Sequence, residues 1–290
     1  MSYYQALGLT AEPFSTSPDP AFFYLSKGHK AALYRLRIAL GLKRGMCVVV
    51  GDVGTGKTTL SRKLSQVLRE EPDTALYMIL NPYFKSQKQF LTRLASIFHV
   101  DVPPKHDSGL DCIEAIEQFL FKKGVEERKT VVLLIDEAQL LPDYVLEILR
   151  ILLNYETNEY KILQLILLGQ LELVPRISRL ANFWDRIALK CMLKPLDLAE
   201  TREMIEFRLR QAGAPDHLFF SGAAIEAIHA NTQGYPRRLS LLCHNSLEAL
   251  VMQDRKVVDE QLVRDLIARD LRRVEEEDNF IKGVPDVVQA

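Results

Sequence analysis

Gly51-Asp52-Val53-Gly54-Thr55-Gly56-Lys57-Thr58-Thr59 sets three hydroxyl side chains and a lysine among closely spaced glycines. It directly follows the apolar run Met46 to Val50 and leads into Thr59 to Arg69, a segment of helical character. Glycine accepts backbone angles that other residues resist, so successive N–H groups can turn inward around anionic oxygens. Lys57 can then reach the outer phosphates of a bound polyphosphate, and Thr58 can ligate magnesium. The chemistry expected of residues 51–59 is nucleotide binding, with ATP and Mg2+ as the ligands.

Leu133-Leu134-Ile135-Asp136-Glu137 supplies the complementary acids. A strand ending at Asp136 would deliver a carboxylate able to orient hydrated magnesium together with Thr58. Glu137 could polarise the attacking water, although an apolar strand ending in two acids can also be a solvated strand end. Gln170, after the apolar run Leu167-Leu168-Gly169, has an amide suited to sensing a phosphate oxygen or the lytic water. Arg237 follows Pro236, a residue well placed to start a helix, and could reach a terminal phosphate across a lid. A site at a subunit boundary would also accept an arginine from the neighbouring molecule. Arg186, directly before an apolar strand, is the first candidate, with Arg176 and Arg179 as competitors.

These side chains need a scaffold that gathers strand ends. Apolar strand candidates recur at Met46 to Val50, Ala75 to Leu80, Val131 to Ile135, Ile162 to Leu168 and Ile187 to Met192. Longer stretches of helical periodicity separate them, the pattern of an α/β fold with a mostly parallel sheet covered by helices. After Pro195 the pattern turns helical: Ala199 to Ala212, Ser221 to Ala230, Pro236 to Gln253 and Val258 to Arg269. The expected organisation is a core over residues 1–195, a helical lid over 196–271 and a charged, flexible tail over 272–290. Ala11 to Ser26, rich in proline and aromatics, is expected to wrap onto the core.

Composition narrows the class. The 37 basic and 38 acidic residues nearly cancel, so no global field draws the chain to nucleic acid or to acidic lipid. The four cysteines and six histidines are scattered without zinc-site spacing, and reduced, buried thiols are expected. With no apolar run of bilayer length and no signal-peptide pattern, a cytoplasmic location is the expectation.

Taken together, the motifs and the opening segment resemble bacterial AAA+ ATPases of the general secretion pathway A, or ExeA, family. The stretches that carry the resemblance are Leu7-Gly8-Leu9, Pro13-Phe14, Pro18-Asp19-Pro20, Tyr24-Leu25-Ser26, Gly51 to Thr59, Leu134 to Gln139, Leu167 to Leu171 and Gly234 to Arg238. The resemblance implies a RecA-like P-loop core with a C-terminal helical lid, and assembly into a ring or filament. It assigns Lys57 and Thr58 to phosphate and magnesium, Asp136 and Glu137 to magnesium and water, Gln170 and Arg237 to the two sensors, and Arg186 to the trans-acting arginine. Secretion members of the family commonly continue into a membrane segment and a peptidoglycan-binding region, neither of which these residues contain. The expectation is therefore a relative of transposition regulators that binds double-stranded DNA and recruits a transposase or adaptor. A secretion component as partner, or a noncatalytic ATP-dependent scaffold, are the alternatives. Lys85 and Lys88, beside Tyr83 and Phe84, are the DNA-binding candidates, and Lys122-Lys123, Arg128-Lys129 and Lys43-Arg44 are further basic sites.

Overall fold

The computed structural model describes residues 2–15, 19–100, 109–180, 183–214 and 219–282, with the side chains of residues 109 and 273–282 outside the description. In chain order the elements are α1 (Tyr3–Ala6), α2 (Lys27–Gly41), β1 (Met46–Gly51), α3 (Lys57–Glu70), β2 (Thr74–Ile79), α4 (Gln87–Phe98) and α5 (Gly109–Phe121). Then come β3 (Thr130–Ile135), α6 (Asp143–Leu152), β4 (Leu163–Gly169), α7 (Leu173–Arg179), β5 (Ile187–Leu193), α8 (Leu198–Gln211), α9 (Gly222–Thr232), α10 (Pro236–Met252) and α11 (Glu260–Lys282). Short 3-10 turns precede α2, α6 and β5.

The five strands form one parallel sheet in the order β2-β3-β4-β1-β5. Inner strands β1 and β4 are buried at every residue, as expected of strands covered on both faces. Edge strand β5 alternates buried and exposed positions. Register decides what meets at the carboxyl edge: Val50 lies beside Gly169, and Ile135 beside Leu167. Gly51, Asp136 and Gln170 therefore leave the sheet on the same side, where ligands of open α/β sheets bind. Phe90, Phe98, Leu94, Ile116 and Leu120 of α4 and α5 join Val131, Leu133 and Leu165 in the sheet's core.

The chain divides into two compact units, residues 25–194 around the sheet and residues 1–24 with 195–290. The grouping differs from the expected wrap of the opening segment onto the sheet core. Leu9 and Phe14 are buried in the cluster built by Ile205, Leu209, Phe220, Ile228 and Leu239. Phe14 meets Phe220 edge to face at 6.0 Å, and Thr10 donates from its backbone N–H to the Ala212 carbonyl at 2.8 Å. The Arg208 guanidinium, on α8, donates to the carbonyls of Pro13 and Ser15 at 3.4 and 3.2 Å. The aromatics do seek a surface, but the surface is helical.

The charged stretch expected as a flexible tail from 272 is instead helical as far as Lys282, because α11 continues through it. In the first turns of α11, Arg264 pairs with Glu260 at helical spacing, which suits a solvated helix face. Residues 283–290, including Gly283 and Pro285, and also Pro18 lie outside the described residues. Gly234 supplies the turn into α10 at φ 72°, and a Cβ there would lie 1.9 Å from the Leu196 carbonyl oxygen. All four cysteines are buried, and burial pushes the Cys47 thiol up to about 12.

Candidate nucleotide site

The phosphate loop is built by close approach. At Gly51 a Cβ would meet Thr55 Oγ1 at 2.7 Å and the Leu193 carbonyl oxygen at 3.0 Å, so the loop can curl over β5 only without a side chain. Gly54 and Gly56 turn through left-handed angles, φ 84° and 93°. Lys57 opens α3 as a buried residue, and its Nζ donates to the carbonyls of Gly51 at 2.7 Å and Asp52 at 2.9 Å. Burial pulls its ammonium below the ordinary lysine range, while the carboxylates of Glu137, Asp136 and Asp52 pull the other way. That balance leaves a cation short of solvent and facing acids.

Asp136, at the end of β3, is 2% exposed. Its Oδ1 accepts the Glu137 N–H at 3.0 Å, its Oδ2 accepts the Ser61 hydroxyl at 3.3 Å, and the Thr58 hydroxyl also bonds to it. Burial raises this carboxyl above its usual range, and the Glu137 N–H bond opposes the rise. A buried carboxylate ringed by hydroxyls, beside a cradle that any Cβ would fill, fits a hydrated divalent cation and the phosphates it accompanies. Asp136 and Thr58 are the residues that would hold Mg2+, which when bound neutralises phosphate charge.

Three participants escape a motif reading. Ser61 lies one turn beyond Thr58, a spacing that could have revealed it. His29 of α2 is 2% exposed, with Nε2 2.9 Å from the Thr55 carbonyl and Nδ1 2.8 Å from Ser26 Oγ. Because the carbonyl can only accept, Nε2 carries the proton. Gln139 bonds to Glu137 across one intervening residue, and only the fold shows that contact.

The other candidates scatter. The Gln170 side chain makes no hydrogen bond among the described residues, and its backbone N–H donates to Gln139 Oε1 at 3.0 Å. Arg186 sits at the amino end of β5, where Ile187 pairs with Met46, whereas Leu193 at the other end pairs with Gly51. Seven residues of strand, roughly 20 Å, separate it from the phosphate loop of its own chain. Its guanidinium donates to the Arg150 carbonyl at 3.2 Å and to Asn154. Arg176 is held by Gln139, Leu141 and Asp143, and Arg179 is exposed at the end of α7. Arg237 belongs to the helical unit and is exposed at the start of α10, where neighbouring Arg238 stacks over Tyr235 at 5.1 Å.

Lys85 and Lys88 are exposed where β2 leads into α4. Lys88 joins Asn81, Tyr83, Gln89 and Arg93 in lining a cleft of about 640 Å³. The remaining basic sites are more engaged: Lys123 pairs with Glu127 at 2.7 Å, and Lys43 lies 4.1 Å over the Tyr160 ring.

A parallel sheet with a glycine-curled loop after β1 and a buried acid after β3 defines a P-loop nucleoside triphosphatase. The AAA domain family matches residues 41–177. The chain carries an AAA+ ATPase domain and is related to the General secretion pathway protein A of Aeromonas hydrophila, with which it shares 37% identity over 250 residues. That alignment takes in 85% of this chain and 44% of the relative, so the chain spans less than half the relative's length. Among solved structures, the Drosophila ORC bound to DNA aligns at TM-score 0.66 and 19% identity, over 93% of this chain and 66% of that one. Cdc6p from Pyrobaculum aerophilum aligns at 0.63 and 17%, over 85% and 67%. At such identities the two structures share the fold.

Proposed function

We propose that the chain is an ATP-hydrolysing, self-associating switch that acts on a secretion or envelope component. The carrying observation is buried Asp136, hydrogen-bonded by the Thr58 and Ser61 hydroxyls, with Glu137 beside it and both carboxylates acting on the Lys57 ammonium, because binding alone would not need a second acid poised next to the first. In this reading residues 51–59 cradle the phosphates and Lys57 leaves its loop carbonyls to meet them. Asp136 and Thr58 hold Mg2+, Glu137 orients water, and Gln170 and Arg237 report the state of the terminal phosphate. Arg186 serves a neighbouring protomer, since roughly 20 Å of strand keeps it from its own loop. The kinship with a general secretion pathway protein supports the secretion branch over transposition control, and because the chain spans less than half of that relative, its ends carry no weight against that branch. Among the described residues no helix is long and apolar enough to cross a membrane.

A second reading, an ATP-controlled DNA regulator that recruits a transposase or adaptor, draws on the cleft with Tyr83, Lys88 and Arg93. These side chains offer a stacking surface and cations to a polyanion. One set of measurements separates the readings. Phosphate release and sedimentation are followed with Mg-ATP, with and without double-stranded DNA, over a range of salt. Mg2+-dependent turnover and ATP-dependent assembly, with no DNA affinity in any nucleotide state, are expected. Salt-sensitive DNA binding that is lost on neutralising Lys85 and Lys88 would instead favour the DNA regulator. ATP-dependent assembly without turnover would leave a scaffold.

A further inference from the structure

Hydrogen bonds continue beyond Glu137 to Gln139 and from there to Gln170 at the end of β4. Glu137 has φ 53° and ψ 37°, the left-handed region, which a residue with a side chain adopts only at a cost. Something must hold it there. Its Oε2 accepts a hydrogen bond from Gln139 Nε2 at 2.6 Å, and Gln139 Oε1 accepts the Gln170 N–H at 3.0 Å. The orientation of the amide is fixed by this pair, since a backbone N–H can only donate and so must face the oxygen. Gly169 leaves the space that Gln139 occupies: a Cβ there would lie 3.2 Å from Gln139 Oε1 and 3.3 Å from its N.

The bridge is anchored on both sides. The Gln170 carbonyl accepts the Leu173 N–H at 3.0 Å, joining it to the start of α7. From the same helix, Arg176 donates to the Gln139 carbonyl at 2.6 Å and also to the Leu141 carbonyl and Asp143. A shift of α7 against β3 therefore cannot leave Gln139 where it is, and Gln139 holds the Glu137 carboxylate.

We propose that Gln139 is a positioning residue that aims the Glu137 carboxylate and ties its aim to the β4–α7 segment. The inference rests on the reading of Glu137 as the water-orienting acid. Two variants separate the halves of the bridge. Gln139→Ala removes both bonds; Gln139→Glu keeps an acceptor for the Gln170 N–H but loses the donor to Glu137.

Both variants are expected to lower kcat about 10- to 100-fold, the range that small misplacement of a reacting group produces, with KM for ATP unchanged. A second readout needs no turnover. In nucleotide-free protein labelled with 13C-glutamate, the Glu137 carboxyl resonance is identified by its loss in Glu137→Gln and is expected to move in Gln139→Ala. An unmoved resonance overturns the proposal, as does a rise in KM at unchanged kcat, which would make Gln139 part of nucleotide binding. If Glu137→Gln itself turns over ATP at the wild-type rate, the assignment of Glu137 fails. If Glu137→Gln is inactive and the resonance stays in place, only the role of Gln139 fails.

Discussion

Asp136 and Glu137 are neighbours in sequence that the backbone sends to different environments. Asp136 ends a buried strand and is met by hydroxyls, whereas Glu137 turns through a left-handed angle and projects to Gln139. The division predicts two distinct phenotypes. Glu137→Gln should keep nucleotide affinity while lowering kcat by about 10²- to 10⁴-fold, the usual contribution of a positioned acid or base; phosphate release alongside a fluorescent-nucleotide titration checks both. Asp136→Asn removes a charge that burial opposes, so the nucleotide-free protein should melt no lower than wild type. The rise in melting temperature that Mg2+ adds in the presence of ATP should vanish, and a variant still stabilised by Mg2+ would remove Asp136 from the cation site. Glycines, lysine and acids were all legible in the sequence because a phosphate loop needs contiguous residues. Gln139, Ser61 and His29 were not read as site residues, because their roles depend on which elements the fold sets beside them.

At the scale of elements, the parallel strands follow directly from runs of apolar residues, since a strand covered on both faces must be apolar throughout. The helices of the second unit depend more on caps and burial. Asp259 accepts the Leu262 N–H at 2.9 Å at the start of α11, and that bond, with the Arg255 charge, holds its carboxyl below the usual carboxylate range. A lowered folded value means that the cap's contribution is complete above the unfolded value, about 3.9, and is lost as pH falls through the folded one. Asp259→Ala should therefore cost about 0.5–2 kcal/mol at neutral pH, with the difference fading in acid, as urea unfolding at several pH values would show. Phe14→Ala should cost about 3–5 kcal/mol in the helical unit, because the ring is 1% exposed and stacks edge to face on Phe220. If hydrogen exchange in α8 and α9 were unchanged by that substitution, the opening segment would not be part of that unit's core.

At the scale of the whole molecule, the placement of Arg186 at the amino edge of the sheet makes a testable statement about assembly. A residue that cannot reach the loop of its own chain can act only across a boundary between copies. Arg186→Ala and Glu137→Gln should each be inactive alone. Mixed in equal amounts they should recover measurable turnover, because some boundaries then join an intact Glu137 to an intact Arg186. No recovery in co-assembled mixtures, shown by sedimentation to contain both variants, would move the role to Arg179 or Arg176.

The sequence by itself determined the phosphate loop, the two acids and the strands that present them, because each is written in adjacent residues whose backbone and burial demands are local. Tertiary structure alone decided which strands lie side by side, and with them the meeting of Gly51, Asp136 and Gln170 at one edge. It also decided that the proline and aromatic opening joins the helical unit rather than the sheet. The physical reason is the same in both cases: a hydrophobic side chain states in sequence that it will be buried, but burial has no direction, and the surface that buries it comes from residues far along the chain.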